Sequence, residues 1–242
     1  MKVRLNKFLS QCGLGSRRKV ESFITSSRIS INGVVTTNLA TYIDNEKDSI
    51  SVDKKPLRPL KKHCFLMMNK PKGYITTTMD LDGRPTVMDM IPEKYRRLGV
   101  FPIGRLDKDT EGLLLFTNDG DIAHRLTLPA YKVNKEYYVE LNDILKDQDL
   151  QLVQEGLYIH QLRLRTKSST IRFSDLSKKR LIITVTEGKK RQIRYTFKNL
   201  GYKIDKLRRI AYGPLKLGKL FRGSVRLLTE REIRALKAAA TG

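Results

Sequence analysis

The most informative segment of the chain, which we call the deciding string, is Gly104-Arg105-Leu106-Asp107-Lys108-Asp109-Thr110-Glu111-Gly112-Leu113-Leu114-Leu115. Its polar half ends abruptly in an apolar run, which predicts a loop that leads into a strand. The two glycines permit a tight backbone around an aspartate that lies close to an arginine. On residue type alone, Asp107 is an ordinary turn residue, and an arginine near it is more often structural than catalytic.

On both sides of this string, strands alternate with modest helices, which predicts an α+β domain with a mostly antiparallel sheet over residues 63–242. The predicted strands are Phe65–Met68, Tyr74–Thr78, Leu113–Thr117, Tyr137–Leu141, Ile159–Leu164, Thr170–Phe173 and Leu181–Thr186. The predicted helices are Asp121–Leu128, Asp147–Glu155, Lys190–Leu200 and Thr229–Ala239.

Residues 1–60 have a different pattern, which predicts a separate small domain. Helical spacing of apolar residues predicts two short helices, the second capped by Ser16, and Asn32-Gly33 predicts a hairpin turn. Residues 54–62 combine two prolines with five cations, which is typical of a semi-rigid basic linker. We therefore place the domain boundary in that linker.

The charge of the chain predicts a polyanionic partner. The 242 residues include 48 Lys and Arg against 25 Asp and Glu, a net charge of +23. Residues 187–242 alone hold 16 basic and 4 acidic side chains. Nucleic acid is favoured over a membrane surface, because no apolar run reaches the roughly 18 residues of a span and no amphipathic anchor is visible.

The cysteines and histidines do not predict a metal site. The chain has two cysteines, Cys12 and Cys64, and three scattered histidines, without the spacing of metal ligands. A disulfide scaffold is also excluded, which fits a reducing cytoplasm. We expect no metal and no membrane association.

Four further segments accompany the string around Asp107: Asn69–Tyr74, Lys135–Tyr137, Glu187–Arg194 and Leu207–Ile210. Together they resemble the pseudouridine synthase family, in the branch that acts on ribosomal RNA. The string around Asp107 resembles the signature of the family, and Asn69–Tyr74 resembles its first motif. Lys135–Tyr137 resembles the motif that supplies an active-site tyrosine, and the last two segments resemble the late motifs.

The resemblance covers essentially the whole chain, because residues 1–60 resemble the alpha-L (S4-like) RNA-binding module that precedes many of these enzymes. It implies a small S4-like domain followed by a pseudouridine synthase domain with a mixed, mostly antiparallel sheet. It also implies that a uracil base is flipped out, detached from its ribose and reattached through a ring carbon. This reaction has no redox or phosphoryl-transfer step, so no cofactor is expected.

The resemblance assigns three catalytic residues. Asp107 is the expected nucleophile or base, and its attack on the sugar, its attack on the ring and its removal of a sugar proton all stay open. Tyr137 is expected to lie against the flipped uracil and to help take the ring-carbon proton. Arg194 is expected to pair with Asp107, which would keep that carboxylate ionised.

The remaining candidates are cations that we expect to bind RNA. Arg105 either fills the space that the flipped base leaves or contacts a phosphate. Lys70 is an active-site cation or an RNA clamp, and the clamp is favoured. The other expected RNA-binding residues are Arg17, Arg18, Lys19, Lys189, Lys190, Arg191 and Arg208.

Two other functions compete with this hypothesis. A non-catalytic ribosomal RNA-binding assembly protein would explain the charge equally well, but it would not need the string around Asp107. A methyltransferase would need a glycine-rich loop after a strand, and the sequence has none.

The choice of RNA depends on two further segments. Leu14–Arg18 and Gly83–Val87 resemble the large-subunit synthase B group more than the small-subunit synthase A group. The expected partner is therefore large-subunit (23S) ribosomal RNA or its precursor particle, with small-subunit (16S) RNA as the alternative. We expect a monomer, since nothing in the sequence demands more.

Overall fold

The computed structural model of the protein describes residues 2–59 and 63–241. The chain divides into two compact units. The first comprises residues 1–64, 93–100 and 117–120, and the second comprises residues 65–92, 101–116 and 121–242. Residues 60–62 of the predicted linker lie outside the described residues, so the predicted boundary stays a prediction.

The first unit is built from short elements. Its strands are β1 (Lys2–Arg4), β2 (Ile29–Ile31), β3 (Val34–Val35), β4 (Tyr42–Asp44), β5 (Ile50–Val52) and β6 (Lys55–Pro56). Its helices are α1 (Leu5–Gln11), α2 (Arg17–Thr25) and α3 (Glu93–Arg96). Strands β1 and β4 form one antiparallel pair, and β3-β2-β5-β6 form a four-stranded sheet.

Local signals explain these elements. The Ser16 side chain accepts a hydrogen bond from the Lys19 backbone N–H at 3.2 Å, which caps α2 as predicted. Asn32 and Gly33 both have positive φ, so they form the tight turn between β2 and β3. The apolar faces of both helices pack with the strands in one core, whose buried members are Leu5, Phe8, Leu9, Val20, Ile24, Ile29, Ile43 and Ile50.

The second unit carries most of the regular structure. Its strands are β7 (Phe65–Lys70), β8 (Phe101–Ile103), β9 (Glu111–Thr117), β10 (Lys135–Leu141), β11 (Tyr158–Ile159), β12 (Leu164–Arg165), β13 (Thr170–Phe173), β14 (Arg180–Val185), β15 (Ile204–Tyr212), β16 (Leu215–Lys216) and β17 (Val225–Leu227). Its helices are α4 (Gly120–Thr127), α5 (Asp147–Glu155), α6 (Gln192–Asn199) and α7 (Glu230–Ala238). Among the described residues, no helix is long and apolar enough to cross a bilayer.

One mixed sheet organises this unit. Its strand order is β13-β14-β10-β15-β9-β7-β17, with β16 paired to β15 and β8 paired to β9. The pairs β10–β14, β10–β15 and β7–β17 are antiparallel, whereas β15 and β9 run parallel. The predicted α+β fold with a mixed, mostly antiparallel sheet is confirmed. All seven residues of β9 are buried, as the apolar half of the deciding string indicated.

Two expected strands differ from the structure, and one observed strand was not expected. Tyr74–Thr78 is not a strand, because only Ile75 forms an isolated bridge, to Thr86. The predicted strand Ile159–Leu164 is interrupted by a 3-10 turn at His160–Leu162. The longest strand, β15, was not predicted, because charged residues interrupt its apolar pattern.

Candidate active site

A cleft of about 590 Å³ opens in the second unit. It unites side chains from β10 and β15 with the loop before β9 and the segment that leads into α6. Asp107, Tyr137 and Arg194, the three predicted catalytic residues, all line it. The structure therefore brings these three residues into one cleft, and their catalytic roles stay a prediction.

A buried lysine binds the backbone of the loop that carries Asp107. Lys70 is completely buried, and its Nζ lies 3.1 Å from the backbone oxygen of Asp107, 3.4 Å from that of Lys108 and 3.0 Å from that of Thr110. A fourth carbonyl, that of Pro71, lies 3.1 Å away. Burial lowers the pKa of Lys70 from 10.5 to about 8. The expectation that Lys70 clamps RNA is wrong, because its ammonium is enclosed by the protein's own carbonyls.

The segment after β7 holds the same loop from a second side. The Thr76 hydroxyl donates to the Leu106 backbone oxygen at 2.7 Å and accepts from the Leu106 N–H at 3.2 Å. The Gly73 N–H donates to the Lys108 oxygen at 2.9 Å. The first motif thus fixes the backbone on both sides of Asp107.

The Asp107 carboxylate itself is free for a substrate. Within residues 2–59 and 63–241 it has no hydrogen-bond or ion-pair partner, although it is only partly exposed. Its charge interacts with those of Lys70, Arg191 and Arg194.

Arg194 pairs with Asp109, so its expected pair with Asp107 is not formed. The Arg194 Nε lies 3.2 Å from the Asp109 Oδ2, and its Nη2 donates to the Asp109 backbone oxygen at 2.9 Å. Arg191 binds the same carboxylate through two hydrogen bonds of 3.0 and 3.2 Å. Burial by itself would raise the pKa of Asp109, but these two arginines outweigh it and lower that pKa. Arg194 therefore anchors the loop that carries Asp107.

Gly112 is required where the loop becomes a strand. It has a φ of +106° and faces Arg209 across the parallel pair of β9 and β15. A Cβ at this position would lie 2.2 Å from the Arg209 backbone oxygen. No side chain fits there, so the second glycine of the deciding string lets the two strands meet.

The side of the cleft formed by β10 and β15 holds two residues that the sequence analysis did not select. Lys135 and Arg209 line the cleft beside Tyr137. They are only 7% and 3% exposed. The Arg209 Nη1 lies 3.4 Å from the Tyr137 hydroxyl. The period of two along a strand puts Lys135 on the same face as Tyr137, a signal that could have found it.

The predicted RNA-binding cations occupy different positions. Arg105, Lys189 and Lys190 are exposed and line the cleft, as an RNA contact requires. Arg191 also lines the cleft but is engaged by Asp109. Arg208 is half-buried and does not line the cleft. Its neighbour Arg209 lines the cleft instead.

In the first unit, the predicted RNA-binding residues Arg17, Arg18 and Lys19 form the first turn of α2 and are all exposed. Three cations at a helix N-terminus oppose the helix dipole, which leaves them better suited to a polyanion than to the helix. The part of the chain that the structure describes has no cluster of side chains suited to a metal ion.

An unpaired carboxylate beside a tyrosine, with exposed cations around them, defines an enzyme site for a polyanionic substrate. The comparisons with known proteins agree. The profile of the family described as RNA pseudouridylate synthase matches residues 64–199. A solved structure described as that of a pseudouridylate synthase superposes with a TM-score of 0.71, at 29% identity, over 97% of this chain and 99% of its own.

Two curated relatives match over nearly their full length. An RNA pseudouridine synthase of Aquifex aeolicus is 38% identical over 98% of this chain and 94% of its own. The ribosomal large subunit pseudouridine synthase B of Bacillus subtilis is 34% identical over 98% of this chain and 96% of its own. The chain belongs to the RNA pseudouridine synthase family. It is an isomerase that converts uridine to pseudouridine in RNA.

Proposed function

We propose that the enzyme modifies a uridine of large-subunit (23S) ribosomal RNA, with Asp107 as its catalytic carboxylate. The substrate assignment rests on the relative named as a ribosomal large subunit synthase, which matches 98% of this chain and 96% of its own length. The assignment of Asp107 rests on its unpaired carboxylate in the cleft. The proposed place of action is the cytoplasm, on the RNA or on its precursor particle.

The side chains around Asp107 suit the handling of a flipped base. Flipping costs a few kcal/mol, and an exposed cation such as Arg105 can hold the displaced strand by its phosphates or occupy the vacated space. The uracil then lies against the ring of Tyr137. Arg194 acts on the reaction indirectly, by fixing Asp109 and with it the loop of Asp107.

Residues 1–60 are proposed to be an S4-like RNA-binding domain. Three adjacent exposed cations on α2 support this role. Structured RNA is recognised mainly through its shape and phosphates, so we expect these residues to contribute affinity that weakens with salt and little sequence discrimination.

The test compares the wild type with Asp107→Asn, which keeps the side-chain shape and removes the charge. Both proteins are incubated with unmodified large- and small-subunit ribosomal RNA, free and in immature particles. Pseudouridine is then mapped by carbodiimide labelling and reverse-transcription stops. We expect one stop in the large-subunit RNA with the wild type and none with the variant.

Each other outcome changes a specific part of the proposal. A stop in the small-subunit RNA would replace the substrate. A stop with Asp107→Asn would remove Asp107 from the chemistry. Tight binding by the wild type without any stop would favour an assembly protein that binds ribosomal RNA.

A further inference from the structure

Lys135 and Arg209 form a buried cation pair that has no counter-ion among the residues that the structure describes. Neither makes an ion pair among the described residues, although both lie almost fully inside the protein. The Lys135 Nζ donates to the Thr186 backbone oxygen at 3.1 Å, and the Arg209 Nε donates to the Leu113 oxygen at 2.7 Å. The Arg209 Nη2 is buried and has no hydrogen-bond partner within residues 2–59 and 63–241.

Such an arrangement is costly for the protein alone. Burying one cation without a carboxylate is unfavourable, and two neighbouring cations also repel each other. Burial, with the charge of Arg209 adding to it, lowers the pKa of Lys135 from 10.5 to about 8. The faces of two tyrosine rings compensate in part, because the Arg209 Cζ lies 5.0 Å from the Tyr212 ring centre and 6.0 Å from that of Tyr137.

The strands fix where this pair lies. Antiparallel pairing of β10 with β15 sets Tyr137 opposite Arg209 and Lys135 opposite Tyr212. Directly paired residues share one face of a sheet, so the two cations and the two rings face the cleft together. A buried donor without a partner, in a cleft that holds the proposed catalytic carboxylate, indicates a group that arrives with the substrate.

We propose that Lys135 and Arg209 form an anion subsite that binds the carbonyl oxygens of the uracil while the ring carries negative charge. The inference rests on the proposed placement of the target uridine beside Asp107. It assigns two further catalytic residues for the isomerisation.

The charge arises whichever role Asp107 has. If Asp107 displaces the base at C1′ or removes a sugar proton, the C1′–N1 bond breaks and its electron pair passes to the ring, over N1, O2 and O4. If Asp107 attacks C6, the C5=C6 electron pair moves towards O4, and the C1′–N1 bond then breaks with its electron pair passing to N1. In each case a ring electron pair forms the C5–C1′ bond, any bond to Asp107 breaks and any sugar proton returns. The C5 proton then leaves to a base, and N1 takes up a proton.

Cations at this place raise the reaction rate, because they stabilise the charged ring more than the bound uridine, which is neutral before the reaction begins. A backbone phosphate is the other anion in the substrate. The exposed Arg105, Lys189 and Lys190 suit phosphates, which stay hydrated, whereas the two buried cations and the tyrosine rings suit a flat base.

The first experiment separates binding from chemistry with Lys135→Met and Arg209→Lys. The substrate is whichever RNA the wild type converts in the mapping experiment, so an error in the large-subunit assignment does not affect the result. The exposed Lys178, which pairs with Asp147, supplies the control Lys178→Met. Thermal unfolding confirms that each variant is folded, and Lys135→Arg is measured as the variant that keeps the charge.

We expect the single-turnover rate of Lys135→Met at saturating protein to fall by about 10²–10³. Its Kd for RNA, and the dependence of that Kd on salt, should equal those of the wild type and of Lys178→Met. The proposal would be overturned if Lys135→Met bound RNA more weakly but kept the wild-type rate at saturating protein. If the slope of log affinity against log salt concentration were also reduced by about 0.9, the subsite would be assigned to a phosphate. An unchanged rate together with an unchanged affinity would also overturn it.

The second experiment is a pH profile, which a merely structural lysine would not alter. The charged or titratable groups that face Lys135 are Arg209 and Tyr212 from β15, and Tyr137 from its own strand. Burial raises the pKa of Tyr212 to about 12, so that group does not titrate in the range measured. Burial lowers the pKa of Lys70, which supports the loop of Asp107, to about 8 as well, so two lysines lose their protons above that pH in the wild type. The wild-type rate should therefore fall more steeply above about pH 8 than the rate of Lys135→Arg, in which only Lys70 loses its proton. Equally steep declines in the two proteins would refute a role for the charge of Lys135.

Discussion

Replacing Lys70 by methionine tests whether this residue supports the loop of Asp107 or binds RNA. The three ammonium protons are shared among four backbone oxygens at 3.0–3.4 Å. Hydrogen bonds to a charged donor contribute about 1.5–3 kcal/mol each, so three of them contribute about 4.5–9 kcal/mol. Methionine fills a similar volume and restores none of them.

The burial of the charge offsets part of that loss. A pKa lowered from 10.5 to about 8 corresponds to about 3 kcal/mol that the protein spends on keeping Lys70 charged at neutral pH. Methionine carries no charge and relieves this cost. The net expectation is that Lys70→Met lowers the free energy of unfolding by about 2–6 kcal/mol.

Urea unfolding followed by circular dichroism measures this difference, with the exposed Lys72→Met as the matched control. The single-turnover rate of the folded variant should also fall by about 10², because a displacement of about 1 Å at Asp107 spoils its alignment, while the RNA affinity stays unchanged. A variant that unfolds at the wild-type urea concentration but binds RNA more weakly would refute this reasoning and restore the RNA clamp.

Three further substitutions test other contacts. Gly112→Ala places a Cβ 2.2 Å from the backbone oxygen of Arg209 on the neighbouring strand, so we expect the free energy of unfolding in urea to fall by at least about 3 kcal/mol. Gly120→Ala, which has open space around the new Cβ, is the control. Equal losses in the two variants would contradict the close approach at Gly112. Asp109→Asn should cost about 1 kcal/mol at pH 7, because this half-exposed carboxylate is bound by an arginine fork. Since folding lowers the pKa of Asp109, the difference from wild type should vanish as the pH falls through and below 3.8, and a difference that persists at the lowest pH would contradict the ion pair. Glu232→Gln should cost about 2–3 kcal/mol at pH 7, because Arg226 lowers the pKa of Glu232 from 4.5 to about 2 and water screens part of this partly exposed ion pair. This stabilisation is complete above about pH 4.5 and is lost as the pH falls to about 2, so an acid titration of stability that shows no difference between the two proteins would reject it.

The sequence predicted best where local chemistry decides the structure. The second helix begins after Ser16 because its hydroxyl caps the first turn, and α7 begins after Thr229 for the same reason. The loop of Asp107 was found because its composition changes abruptly at the start of β9. Each of these signals lies within a few residues of the feature that it predicts.

Lys70 shows why the role of a charged residue is harder to predict. A lysine between a strand and a Pro-x-Gly turn has the same composition whether it faces water or the interior. Its burial depends on the loop of Asp107, which lies nearly 40 residues further along the chain and offers its carbonyls at that place. No local pattern in the sequence indicates that this long-range contact forms.

The choice between Arg208 and Arg209 depended on a still finer detail of the sheet. Along β10 and β15 the pairing Glu136–Ala211 is followed by Tyr137–Arg209, so Ile210 is passed over as a bulge. A bulge adds one residue to one strand and reverses the alternation of faces beyond it. With regular pairing, Tyr137 would face Ile210, and Arg209 would point to the opposite face. The bulge therefore turns Arg209 towards the cleft, and the anion subsite proposed above depends on it.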